Sequence, residues 1–345
     1  MAEMASRDII ITTTLITTGI AVLTLLYWVT FKRQPHKTVM RPRKKRDEVK
    51  DMKWEPAGRV AKLRIYPVKS CSGITVPSAQ TDLCGLMHAE VVDRSFVICN
   101  YKGAMITARM IPSMLRIHPS IEDNVLTLKY PGVEDLTVDL SQVKKTNEIV
   151  AVNIWTDKTS GLCCGEEASS WLHAVLGRRC RLLYHADFPS PRTADIRNIE
   201  KYPLLRDDDH FLYTDGAAFM LMTVQSVADL QRRVQCQIAA ENFRPTILIE
   251  AKNGPYDEDS WEYVMIGEAV FRNISPCTRC IFTTIDHETG HKDPNQEPLR
   301  TLKTYRCIGG DKDPHLGINL ALDLPGLISE GDEIFVTRTV KNKWF

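Results

Sequence analysis

Short apolar runs, alternating with polar residues or unbroken, dominate this chain. From Gly58 onward, GRVAKLRIYPV, SFVICN, DNVLTLKY, EIVAVNIW, CRLLYHA, TILIEA, MIGEAVFRNI and GDEIFVTR are rich in β-branched residues and bounded by Gly, Pro, Asn or Asp. That pattern predicts strands. Helical spacing is rarer. EEASSWLHAVLG places Ala168, Trp171, Leu172 and Val175 on one face and ends at Gly177, which suits a helix C-terminus. AAFMLMTVQSVADLQRRV also reads as a helix, with polar residues closing its C-terminal end. No repeat recurs at a fixed period. Strands outnumber helices, so the fold class is α/β followed by β-rich: a mixed α/β domain at 57–184 and a β-barrel-like domain at 185–345. The boundary falls in HADFPSPRTADIRNIEKYPLLRDDD, where prolines and charges crowd together.

The first fifty residues follow another pattern. Ile9 to Phe31 carries no charge and is long enough to cross a hydrocarbon core of about 30 Å, although its seven threonines make it only moderately apolar. Tyr27 and Trp28 stand near one end, where amphipathic rings suit the headgroup layer. Residues 1–31 therefore read as an N-terminal membrane anchor. From Lys32 to Arg46 the chain has eight Lys or Arg and no acidic residue, so the positive-inside rule puts the bulk of the protein in the cytosol. Residues 32–56 read as a basic tether, because Pro35, Pro42 and Pro56 oppose any long helix. A cleaved signal peptide fits less well: the apolar stretch is too long, no A-x-A site follows it, and the basic flank lies on the wrong side. Such an anchor suits the mitochondrial outer membrane facing the cytosol, with the endoplasmic reticulum second.

Composition adds limits. The 345 residues are 43% hydrophobic, enough for real cores, and the formal net charge of +1 gives no field that points to nucleic acid. Ten cysteines in a chain this long, including adjacent Cys163 and Cys164, do not form a disulfide-framework pattern and accord with a reducing compartment.

The chemistry concentrates in SPCTRCIFTT, where Cys277 and Cys280 flank Thr278 and Arg279. Structural zinc needs four ligands; His287 and His291 could complete the set, but only six residues separate Cys280 from His287. A redox dithiol needs a helix after the motif, and the β-branched IFTTID does not read as one. Two inert buried cysteines are a third reading. In a fourth, one thiolate binds a soft, redox-active metal whose other ligands come from a cofactor. An anionic cofactor would then need converging cations and N–H groups. Lys69 and Ser70 beside Gly73 in YPVKSCSG, Arg94 in VVDRSFVI, Arg244 in NFRPTILI and Arg279 are available for that.

Taken together, YPVKSCSGI, DRSFVI with a following TAR, NFRP, and CTRC followed by TT resemble the MOSC-domain family, in particular its mitochondrial amidoxime-reducing component branch. The likeness runs from about Gly58 to the C-terminus, and the anchor with its basic flank matches as well. The resemblance implies that Cys280 ligates molybdenum, whose other sulfur ligands come from molybdopterin. It implies pterin- or phosphate-side contacts from Lys69, Ser70, Arg94, Arg244, Thr278 and Arg279. The sequence departs from the family pattern at three places, each expected at the cofactor: Gly216 and Ala217 replace a Thr-Ser pair in YTDGAAF, Thr246 replaces an Asn, and Asn319 replaces a Tyr. The implied activity is reduction of N-hydroxylated compounds with electrons from NADH, through cytochrome b5 reductase and cytochrome b5. Asp215 is the expected proton donor, and a turn- or helix-capping role is the plain alternative. Other readings are a MOSC-type sulfur carrier using Cys280, which lacks room for the usual pyridoxal-phosphate domain, and a zinc-stapled, membrane-tethered binding protein.

Overall fold

Val60, Leu63 and Ile65 are buried along strand β1 (Glu55–Ile65), the strand that GRVAKLRI predicts, with a register shift between Val60 and Lys62. The fold comes from a computed structural model and is described here for residues 43–186, 192–194 and 201–338. The next strands that matter for the site are β2 (Phe96–Asn100), β3 (Ile149–Ile154), β4 (Asp157–Cys163) and β5 (Cys180–Tyr184). After them come β6 (Phe219–Thr223), β7 (Ile247–Ala251), β8 (Trp261–Ile266), β9 (Ala269–Thr278), β10 (His315–Leu324) and β11 (Glu333–Arg338). The helices used below are α1 (Arg46–Lys50), α2 (Gly165–Leu176) and α3 (Val224–Arg233).

Seven strands close a barrel in the order β7-β6-β10-β9-β8-β11-β1, with β1 pairing back onto β7. Leu63, Phe219, Leu221, Ile247, Val264, Phe271, Leu320 and Val336 fill its core. Closure removes the exposed edges that an open sheet would leave. The barrel therefore draws on both sides of the boundary expected at residue 184. Among the seven barrel strands only β6 and β7 pair in parallel, and helix α3 makes the crossover that a parallel pair needs. The Thr223 side chain caps α3 by accepting a hydrogen bond from the Ser226 N–H at 3.2 Å.

The single helix expected over AAFMLMTVQSVADLQRRV is divided. Its first half is strand β6, buried at all five positions, and α3 begins only at Val224. A strand covered on both faces reads as an unbroken apolar run, which periodicity does not separate from a buried helix.

The second sheet runs β3-β4-β5-β2. Helix α2 packs Trp171 and Leu172 against one face, over Phe96, Ile98 and Leu182. Gly177 ends it in the left-handed conformation at φ 64°, as the sequence predicts. The other face packs Val97, Cys99, Val152, Ile154 and Leu183 around Tyr213.

The basic tether ends earlier than expected. Arg43 pairs with Asp208 at 3.0 Å, the Lys44 N–H donates to Asp323 at 3.0 Å, and Val49 on α1 is buried. Pro56 does not prevent a strand, because it stands where the β1–β11 register shifts and a ladder bond is not needed. Among the described residues no helix is long and apolar enough to cross a membrane. The expected anchor, Ile9 to Phe31, lies outside the described residues, as does the tether before Arg43.

Candidate active site

A cavity of about 490 Å³ gathers segments that are far apart in sequence: Lys69–Ser70, Arg94, Thr107 and Arg109, 214–220, 242–244, 275–283 and Asn319. Every site residue expected from sequence lines it, with one exception. Thr246 lies behind the wall, where its hydroxyl accepts from the Met220 N–H at 3.0 Å and lies 3.1 Å from the Met220 carbonyl. It braces the start of β6 and does not itself line the cavity.

Three of the lining residues hold a backbone conformation that L-residues rarely adopt. Ser70, Arg94 and Arg244 have φ of 70°, 53° and 57°. A non-glycine residue held there costs about 1–3 kcal/mol in sparsely populated cases, and such positions cluster at ligand sites. Arg94 is held by its N–H on the Tyr66 carbonyl at 3.0 Å and by its own carbonyl, which accepts from Tyr213 at 3.2 Å. Arg244 is the residue that ends the short 3-10 turn Ala240–Phe243.

Tyr66 joins these segments. The Arg94 guanidinium lies 4.4 Å and that of Arg244 4.1 Å from its ring centroid. The ring is fixed by its hydroxyl on the Pro245 carbonyl at 3.2 Å, and its N–H donates to Asp93 at 2.6 Å. A Cβ on Gly73 would fall 2.6 Å from this ring, so the glycine of YPVKSCSG is needed for close approach. Sequence reading missed Tyr66, because a strand-end tyrosine reads as an ordinary core aromatic.

The cavity carries more cation than anion. Arg94 pairs with Asp93, and Lys69 Nζ meets Asp215 at 2.5 Å. Among the described residues the Arg244 guanidinium donates only to the Cys71 carbonyl, at 2.6 Å, and its Nη2 is buried without a partner. Burial and the neighbouring charge of Arg94 push Arg244 down to about 10. Burial also lowers Lys69 and Arg279 from their ordinary values. Crowded cations disfavour their own charged forms until an anion arrives.

Arg279 works differently from the expectation. Its Nε and Nη2 donate to the Leu316 carbonyl, the former at 2.9 Å, and its Nη1 donates to the Phe243 carbonyl at 2.9 Å. It contributes charge to the cavity, but these bonds spend its guanidinium on main-chain oxygens and tie the CTRC turn to β10 and the 240–243 turn.

Asp215, the expected proton donor, is ion-paired in the cavity wall. Burial works against its carboxylate, but the charge and hydrogen bond of Lys69 outweigh it. With the Trp155 indole N–H at 2.9 Å and the charge of Arg109, they hold its pKa below the ordinary carboxylate range. A carboxylate so held favours its ionised form.

The two cysteines are not equivalent. Cys277 packs beside the Met222, Leu230 and Leu316 cluster, and burial raises its thiol pKa. Cys280 stands at the N-terminus of a 3-10 turn, Ile281–Thr284, with extended backbone. That turn occupies the run read as non-helical; the Cys280 carbonyl accepts from the Thr283 N–H at 3.1 Å and the Thr283 hydroxyl at 3.0 Å. Among the described residues no three His, Cys, Asp or Glu side chains cluster as a metal site, so His287 and His291 do not complete a zinc set with Cys277 and Cys280. A single cysteine sulfur in a cavity that cations also line can hold a metal whose remaining ligands arrive with an anionic cofactor.

Two family models match the chain: the MOSC N-terminal beta barrel domain at residues 57–179 and the MOSC domain at 208–335. The chain is 34% identical over 303 residues to mitochondrial amidoxime-reducing component 1 of Mus musculus, covering 86% of this chain and 85% of that protein. The Homo sapiens component 1 is 33% identical over 288 residues, with 82% and 84% covered. Homo sapiens component 2 is 32% identical over 288 residues, with 81% and 84% covered.

Proposed function

This chain belongs to the mitochondrial amidoxime-reducing component family of MOSC-domain proteins, and on that premise we propose that it is a molybdenum-cofactor-dependent reductase of N-hydroxylated compounds. The observation that carries the reading is the excess of cation around Cys280, above all the buried, partnerless Nη2 of Arg244. An anionic pterin phosphate would complete it. The residues fit such a group: Lys69, Arg94 and Arg244 offer charge, Ser70 and Thr278 offer hydroxyls, and Gly216 and Ala217 offer main-chain N–H groups. Asn319, whose amide donates to Ser275 at 3.1 Å, supports the same wall. Cys280 would supply the protein's one sulfur ligand to the metal, and Cys277 none.

When bound, the molybdenum centre supplies the two-electron chemistry that cleaves an N–O bond. The overall balance takes an N-hydroxylated compound, two electrons and two protons to the amine or amidine and water. Asp215 holds Lys69 in place rather than giving up a proton; the proton of that pair sits on Lys69 Nζ. Cytochrome b5 and its NADH-dependent reductase are the proposed electron source. An outer-mitochondrial-membrane position facing the cytosol, through residues 9–31, is the proposed setting.

The test is elemental analysis of the full chain made in a host that synthesises molybdopterin. About one molybdenum per chain is expected, lost in Cys280→Ser and retained in Cys277→Ser, together with reduction of an amidoxime. Zinc bound instead, and lost equally from both variants, would remove the enzyme assignment.

A further inference from the structure

Trp155 occupies the tight connection between β3 and β4, and three observations set it apart. It is 46% exposed, which is costly for the largest aromatic side chain. Its backbone is left-handed at φ 56°, an outlier for a bulky residue. Its indole is nonetheless held at two points. The Nε1–H donates to Asp215 at 2.9 Å, and the Arg109 guanidinium lies 4.0 Å from the ring centroid.

Both partners of Trp155 line the cavity, so the ring stands at its rim. Arg109 belongs to the TAR motif, which the cofactor contacts do not absorb. Its position is fixed in turn by Lys292, whose Nζ donates to the Arg109 carbonyl at 2.8 Å. Two separate segments therefore hold one aromatic ring in the open, and a third braces one of them. Among the described residues no second ring or cation lies on it. A strained, exposed ring that is braced so firmly serves a ligand better than it serves stability.

We propose that Trp155, braced by Arg109 and Asp215, is a stacking platform for a flat, conjugated substituent of the N-hydroxylated substrate, and so sets a preference for aryl over alkyl compounds. The inference rests on the reductase reading for the identity of the ligand. Arg109 on one face polarises the indole and leaves the other face for the incoming ring. A flat ring placed there would direct its N-hydroxyl group inward, past Asp215.

The test compares equilibrium binding of benzamidoxime and acetamidoxime to the full-length holoenzyme, in wild type, Trp155→Ala and Trp155→Phe, by calorimetry. Trp155→Ala should weaken benzamidoxime binding about tenfold and leave acetamidoxime within about twofold, and Trp155→Phe should keep most of the aryl preference, because an aromatic pair contributes on that scale. Equal weakening of both ligands would mean that Trp155 acts only by positioning Asp215, and no change in either would mean that the rim is not a subsite. Both results overturn the proposal. Turnover of benzamidoxime by the wild type is read in parallel. Its absence, with selective benzamidoxime binding intact, would sink the reductase reading and leave the platform standing.

Discussion

The guanidinium of Arg244 lies 4.1 Å from the ring centroid of Tyr66, and Arg94 lies against the same ring. Two like charges are thus held near one buried aromatic, and each is attracted by its π-face at about 0.5–2 kcal/mol. The arrangement keeps two cations side by side before any anion arrives. Tyr66→Phe retains the ring and loses only the bond to the Pro245 carbonyl. It should hold molybdenum nearly as well as wild type, while Tyr66→Leu should lose most of it at equal folded fraction. Molybdenum per chain on the purified proteins decides this, and equal losses in both variants would show that the hydroxyl, not the ring, matters.

The Asp215–Lys69 pair makes a statement about pH. Because the Asp215 pKa is held below its ordinary value, the pair's stabilisation is present above the usual carboxylate range and is lost only as pH falls through the depressed value. Across the working range Asp215 stays ionised. Asp215→Asn should therefore lower kcat/KM by about tenfold or more through misplacement of Lys69, yet leave the acid limb of the pH–rate profile where it was. An acid limb that disappears in Asp215→Asn would restore it as the proton donor.

Gly216 has room to spare: a Cβ there would meet nothing within 4 Å, and its φ is not in the left-handed region. Gly216 is exposed, so Gly216→Thr should fold with stability within about 0.5 kcal/mol of wild type. It should also slow loss of molybdenum on prolonged dialysis, by adding a hydroxyl contact. An unchanged rate would mean that the main-chain N–H groups already suffice.

Glu258 is fully buried, accepting from Ser226 at 3.0 Å and Thr223 at 3.2 Å. Burial, and then the charge of neighbouring Asp259, push its pKa up to about 7 from 4.5. A raised folded pKa means that its contribution is fully present below about pH 4.5 and is lost as pH rises through about 7. Stability should thus decline from pH 5 to 8, and Glu258→Gln should flatten that slope by about 1–3 kcal/mol across the window. Denaturant midpoints at several pH values measure it, and parallel slopes in the two proteins would contradict it.

Local signals carried most of the elements. A short run of apolar and β-branched residues marked β1, helical spacing and Gly177 marked α2, and the spaced motifs marked the residues that meet in the cavity. FMLMT failed because burial on both faces erases periodicity. The tether failed beyond Arg43, because Val49 and the Arg43–Asp208 pair become legible only once the barrel surface is present.

By itself the sequence determined what each short segment can do: form a strand, end a helix, present a thiolate, an arginine or a backbone N–H. Tertiary structure decided how those abilities are used. Closing β1 onto β7 brings Tyr66 and Lys69 to Arg244 and Asp215, residues about 150 to 180 positions away. Only that meeting sets the protonation of Asp215, turns Arg279 toward main-chain carbonyls, hides Thr246 and exposes Trp155. Charge interactions and ring stacking depend on distance in space, which residue spacing along a chain does not encode.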